Sequence, residues 1–256
     1  GGSERMMRAR DADWKRQAEP RIFWAGDSTV TQNDYMTYPQ SGIGQGIRLF
    51  IRKEVEIRNH AVNGRSTKSF IDEGRLAPIY DELSEGDFLF IQFGHNDEKR
   101  SDPSRYTEPY GEFMENIGKF ISAARNKKAL PVLITPLSRR QILEDGTVER
   151  TAHRGYRLAM QKAARKWAVP CVDLCKASAR LLERTPPEVS EHWFMNLRKG
   201  EYPNYPEGRR DDTHLQWRGA LVFGRLLAEG LKALGGAYRE LLIRPEKLSE
   251  PFDGEI

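Results

Sequence analysis

The run Asp211-Asp212-Thr213-His214 places an acid three positions ahead of a histidine. If the segment makes a turn, both side chains face one pocket and the acid can fix the imidazole tautomer. An imidazole held that way is a general base. Its natural client is a serine, whose hydroxyl is a poor nucleophile until its proton is removed. Ser28 fits, because it closes Gly26-Asp27-Ser28 directly behind the apolar run Ile22 to Ala25. The chain order serine, aspartate, histidine occurs in other hydrolases. The G-x-S-x-G elbow of the α/β-hydrolases is absent, however, since Val30 stands where its second glycine belongs. Asp212 is the rival acid, and the spacing favours Asp211. Taken alone, Gly-Asp-Ser reads equally well as a turn, or as an anion cradle at a helix N-terminus. The catalytic reading therefore depends on what else converges on Ser28.

Convergence is a matter of strands and helices. Short apolar runs at Arg21 to Ala25, Val55 to Ile57, Asp87 to Phe93, Pro131 to Thr135 and Cys171 to Leu174 read as strands. Between them, apolar residues at helical spacing mark helices near residues 43–51, 113–124, 156–167 and 216–235. Strands alternating with helices predict an α/β fold, a three-layer α/β/α sandwich on a five-stranded parallel sheet. In such sheets ligands bind beyond the carboxyl ends of the strands. Ser28 follows the first strand, Asn59 to Gly64 follow the second, and Gly94-His95-Asn96-Asp97 follow the third. These loops bring a hydroxyl, a glycine and a side-chain amide to one rim, a nucleophile with candidate oxyanion donors. His95 and Asp97 read as braces of the third loop. His60, His153 and His192 read as ordinary surface or loop histidines. Residues 1–20 read as a charged lead-in and residues 21–256 as one domain, with no repeat and no linker dividing them.

Composition narrows the partners. The chain has 256 residues, 41 Lys plus Arg against 37 Asp plus Glu, and a net charge of +4. The pI near 9.0 suits anionic partners. No zinc-finger, RNA-recognition or basic-heptad pattern is present, so nucleic acid is not expected. No apolar stretch is long enough for a membrane span. No histidine pair has the spacing of a zinc site, so neither metal nor cofactor is expected. Cys171 and Cys175 read as buried free thiols. The Gly1-Gly2-Ser3 opening reads as a cloning remnant, so no leader is legible there.

Four blocks stand in the order of a known superfamily. Gly26-Asp27-Ser28, Gly64, Gly94-His95-Asn96-Asp97 and Asp211-x-x-His214 resemble the SGNH (GDSL-like) hydrolases. The flanks GDST, NHAVNGRSTKSFIDEGR, FIQFGHND, GEYPNYPEG and DDTH resemble one branch, the rhamnogalacturonan acetylesterases. The resemblance implies that Ser28 attacks an acetyl carbonyl, that His214 is base and then acid, and that Asp211 orients His214. It implies an oxyanion hole from the backbone N–H groups of Ser28 and Gly64 and the Asn96 amide, without a metal. It further implies an acetylated plant cell-wall polysaccharide as partner, and a secreted or periplasmic protein.

Pectic chains carry carboxylates, for which arginine is the fitting partner. Arg65, beside Gly64, and Arg209 and Arg210, before Asp211, are the candidate substrate contacts. Trp193, from the long aromatic segment 191–210, is a fourth, although Trp193, Phe194, Tyr202 and Tyr205 could equally serve to pack that segment. The competing functions are an esterase acting on acetylated xylan or small acyl esters, a catalytically dead glycan-binding module, and a flavodoxin-like phosphate binder.

Overall fold

The computed structural model describes residues 19–248. Of the lead-in expected over residues 1–20, only the last two positions fall within them. The sheet is built from β1 (Arg21–Gly26), β2 (Glu56–Asn59), β3 (Phe88–Gln92), β4 (Leu130–Ile134) and β5 (Cys171–Val172). Their order is β2-β1-β3-β4-β5 and every pairing is parallel. The chain leaves β1 for β2 on one side and returns to β3 on the other. That reversal between β1 and β3 is the switch point at which open parallel sheets bind ligands.

Two apolar layers cover the sheet, and alternation along each strand feeds both. Ile22 and Trp24 of β1, with Phe88 and Phe90 of β3, point into one core. Phe23, Ala25, Leu89 and Ile91 point into the other. The first core is closed by α1 (Ile43–Gly46) with its 3₁₀ extension Ile47–Leu49, and by α6 (Leu174–Arg184) and α8 (Trp217–Leu234). The second lies under α2 (Thr67–Asp72), α3 (Leu76–Glu82), α4 (Met114–Asn126) and α5 (Thr151–Trp167). The short helices α7 (Pro187–Ser190) and α9 (Gly236–Arg239) complete the set. The expected three-layer α/β/α sandwich on five parallel strands is the fold. Each large apolar side chain buried here contributes about 1.5–3 kcal/mol.

The departures from expectation have local causes. The single helix expected over residues 43–51 is a short α-helix running into a 3₁₀ turn. Gly44 and Gly46 weaken it as a helix, yet Gly46 is where α1 meets α8: a Cβ there would lie 1.9 Å from the Ala220 carbonyl oxygen. The fifth strand stops at Val172, because Asp173 caps α6 by accepting from the Lys176 N–H. Leu174 is therefore helical. Cys171 and Cys175 are free thiols, one in β5 and one in α6, and burial pushes both up to about 12. At neutral pH both stay protonated and inert.

Candidate active site

Ser28 lies in the turn that ends β1. Asp27 holds that turn together. Its backbone oxygen accepts from the N–H groups of Val30 and Thr31, and its buried Oδ1 accepts from the Thr29 N–H (3.0 Å) and hydroxyl (2.7 Å). Burial raises the Asp27 carboxyl above its usual range. His214 arrives from the far end of the sequence, and its Nε2 stands 3.0 Å from the Ser28 Oγ. The carbonyl oxygen of His214 accepts from the Met195 N–H, and that of Leu215 from the Ser41 N–H, so the histidine segment is tied down on both sides.

Asp211 Oδ2 lies 2.7 Å from His214 Nδ1. Its Oδ1 accepts the backbone N–H groups of Thr213 (2.8 Å) and His214 (2.9 Å). Burial pushes this carboxyl up, but the hydrogen bonds from the His214 ring and the two backbone N–H groups outweigh burial. They hold it well below the usual carboxylate range. An ionised Asp211 only accepts, so Nδ1 carries the imidazole proton and Nε2 offers a lone pair to the serine hydroxyl. Asp212 does something else. Its Oδ1 takes hydrogen bonds from Arg140 Nη1 (3.2 Å) and Asn196 Nδ2 (2.8 Å). Of the two rival acids, Asp211 is the one that touches His214.

The second and third loops join the same rim. Asn59 donates to the Val30 carbonyl (2.8 Å) and accepts from the Ala61 N–H (3.0 Å), and the Val62 N–H donates to the Gly26 carbonyl (3.1 Å). This stitching lays residues 59–65 along the Ser28 turn. Gly64 has φ +75°, a conformation only glycine adopts without strain. Asn96 is nearly buried and its Nδ2 donates to the Arg65 carbonyl (3.2 Å), linking loop three to loop two. Asp97 braces both, accepting from the Thr67 N–H (3.0 Å) and from the Thr67 and Thr107 hydroxyls (2.5 and 2.7 Å). His95 also serves as a brace: Nε2 lies 2.8 Å from the Leu137 carbonyl, and burial holds its ring well below the ordinary histidine range.

Several expectations need correction. His153 is no surface histidine. It is buried in α5, lies against His95 with ring centroids 4.3 Å apart and ring planes tilted 58° to each other, and sets Nδ1 2.8 Å from Glu98. Trp193 cannot offer a face to substrate, because it is 3% exposed and packs edge-on against Phe223 of α8. The three arginines stand as candidate contacts, each with a partner inside the chain. Arg65 pairs with Glu73 at 2.9 Å. Arg209 donates to Asp211 at 2.5 Å and to Gln40, and lies over the Tyr205 ring. Arg210 is 83% exposed and pairs with Glu191 at 2.7 Å. The role of Asn196 escaped sequence reasoning. Asn196 accepts from the Asp211 N–H (2.9 Å) while donating to Asp212, thereby setting which acid faces the histidine. Its position within the long 191–210 segment was the only signal for it.

Among the described residues no group of three or more His, Cys, Asp or Glu side chains could hold a metal ion. No described helix is long and apolar enough to cross a membrane.

The GDSL-like lipase/acylhydrolase family matches residues 25–220. Rhamnogalacturonan acetylesterase RhgT of Bacillus subtilis is 39% identical over 226 residues, covering 88% of this chain and 95% of RhgT. A rhamnogalacturonan acetylesterase of Emericella nidulans is 29% identical, with 91% of each chain covered. Among solved structures, the Bacillus subtilis YxiM protein superposes with a TM-score of 0.73 at 26% identity, over 85% of this chain and 57% of that one. Axe2, an acetylxylan esterase from Geobacillus stearothermophilus, shares the fold with a TM-score of 0.57 at 13% identity, over 86% of this chain and 95% of its own. The fold, the order of the blocks and the extent of these matches lead to one assignment: the chain belongs to the GDSL-like lipase/acylhydrolase family, in its rhamnogalacturonan acetylesterase-like branch, and is an esterase.

Proposed function

We propose that this esterase removes O-acetyl groups from pectic polysaccharide, with rhamnogalacturonan as the leading substrate, through Ser28, His214 and Asp211. The observation that carries the chemistry is the unbroken chain from Ser28 Oγ to His214 Nε2 (3.0 Å) and from His214 Nδ1 to Asp211 Oδ2 (2.7 Å). Ser28 Oγ attacks the acetyl carbonyl and its proton passes to His214 Nε2. The tetrahedral oxyanion is held by the N–H groups of Ser28 and Gly64 and by Asn96 Nδ2. Collapse breaks the bond to the sugar oxygen, which takes the proton back from His214. Water then attacks the acetyl-Ser28 ester with the same base, releasing acetate and restoring the serine. The pectic substrate is supported by the activity named for RhgT and its Emericella nidulans relative. Such a substrate lies outside the cell, and secreted or periplasmic export is part of the proposal.

Acetate release from acetylated rhamnogalacturonan, acetylated xylan and p-nitrophenyl acetate tests the reading. Ser28→Ala should abolish all three reactions with the fold unchanged. Turnover by that variant would overturn the nucleophile, and a preference for xylan would overturn the substrate. Failure of the wild-type protein on every ester would leave a dead glycan-binding module.

A further inference from the structure

Resting on the reading of Asn96 as an oxyanion donor, we propose that Arg105 is the positioning residue that fixes which end of the Asn96 carboxamide faces the hole. The oxygen and nitrogen of a carboxamide are nearly the same size, so packing alone does not choose between the two orientations; hydrogen-bond partners do. A wrong choice would be severe here, since a carbonyl oxygen turned toward a developing oxyanion repels it instead of stabilising it.

Two partners decide the matter, and they agree. Arg105 Nη1 lies 3.0 Å from Asn96 Oδ1. A guanidinium only donates, so the atom opposite it must be the amide oxygen. The Arg65 carbonyl lies 3.2 Å from Asn96 Nδ2. A carbonyl only accepts, so that atom must be the amide nitrogen. Turning the amide over would set donor against donor and acceptor against acceptor at once. The Arg65 contact uses one of the two amide protons and leaves the other for the oxyanion. The charge on Arg105 also draws electron density toward Oδ1, which strengthens the remaining N–H as a donor.

Arg105 is itself held. Its Nε donates to Asp102 Oδ2 at 2.7 Å, while Asp102 Oδ1 accepts from the Ser104 N–H (3.0 Å) and hydroxyl (2.6 Å). The backbone N–H groups of Arg105 and Tyr106 both donate to the Asp102 carbonyl. Two residues further on, Thr107 is pinned to Asp97 by its hydroxyl and by its N–H. The loop between Asp97 and Thr107 thus closes on the residue next to Asn96, and its tight turn at Asp102 delivers one guanidinium to one amide oxygen.

A double-mutant cycle on acetate release from p-nitrophenyl acetate and from acetylated rhamnogalacturonan tests this, with circular dichroism and melting temperature monitored throughout. Arg105→Ala should lower kcat by about 10–10² on both substrates, bounded by the ~10²–10³ loss of a whole oxyanion donor in Asn96→Ala. KM should move by no more than about twofold, because the amide acts on the transition state. Arg105→Lys, still a pure donor, should recover part of the loss. In the Asn96→Ala background Arg105→Ala should cost less than about twofold, because nothing remains for it to orient. Multiplying losses, a loss confined to KM, or unchanged turnover in Arg105→Ala beside a crippled Asn96→Ala would each overturn the inference and leave the oxyanion hole standing. Full turnover by Asn96→Ala would instead remove the hole assignment, and this inference with it.

Discussion

Asp211 and Asp212 are neighbours in sequence with the same side chain, and they are separated only by partners. Asp211 receives His214 Nδ1 and two backbone N–H groups, while Asp212 receives Arg140 and Asn196. Asp211→Asn should present the wrong imidazole tautomer and lower turnover by up to about four orders of magnitude. Asp212→Asn should cost far less, and steady-state kinetics giving the opposite ranking would reverse the assignment. Asp97 makes a second residue-scale prediction, one about stability. Burial pushes its carboxyl up to about 7, against the three hydrogen bonds from Thr67 and Thr107 that favour its ionised form. In the unfolded chain an aspartate titrates at ~3.9. Between those values the folded protein keeps a proton that the unfolded chain has lost. The stabilisation is therefore complete below about pH 4 and is lost as pH rises through about 7, at no more than ~1.4 kcal/mol per pH unit. Urea unfolding from pH 4 to 8 should show this slope in the wild type and lack it in Asp97→Asn. A stability difference that stays constant across that range would show an aspartate ionised throughout.

At the scale of elements, the site depends on how closely α1 approaches α8. The helix that carries Gly46 lies against the backbone of α8, which begins three residues after His214. The contact works because glycine lets two backbones meet, and a Cβ on Gly46 would sit 1.9 Å from the Ala220 oxygen and 2.8 Å from the Leu221 nitrogen. Those atoms are backbone, so neither can swing aside. Gly46→Ala should destabilise the fold by about 1–3 kcal/mol or more, measured as a lower urea midpoint with an unchanged slope. Activity should fall along with it, because α8 and the His214 segment would have to shift together. A variant as stable as the wild type would mean that the two helices can separate without cost.

At the scale of the molecule, the proposed substrate is an anionic polymer and the protein carries a net charge of +4. Arg209 is committed to Asp211, so Arg209→Ala should lower turnover on acetylated rhamnogalacturonan and on neutral p-nitrophenyl acetate alike. Arg210 is exposed, and an exposed ion pair such as Arg210–Glu191 contributes little to stability. If it meets a uronate, Arg210→Ala should raise KM on the polysaccharide and leave the small ester untouched. Added salt should weaken the polysaccharide reaction selectively, because exposed attraction is screened over about 8–10 Å. Equal losses on both substrates in Arg210→Ala would make it a structural arginine.

What the sequence by itself determined was the frame, and within it the residues proposed for the site. Ser28, Gly64, Asn96, Asp211 and His214 are legible as candidates because each sits in a short segment whose own pattern marks it, and a short, nearly continuous apolar run such as β3 bounded by turn residues reads as the buried centre of a parallel sheet. The helices α2, α3 and α6 were less legible. The first two are short, and α6 opens directly on the end of β5, so its first apolar residue reads as strand. Tertiary structure alone decided burial and pairing. Trp193 looks like a sugar platform until Phe223 covers it, and His153 looks like a surface histidine until His95 and Glu98 close over it. Arg140 reaches Asp212 across 72 positions, and Arg105 reaches Asn96 only because the loop folds back through Asp97. A side chain's type states what it can donate or accept, whereas its partner is set by distant residues that only the folded chain brings within hydrogen-bond reach.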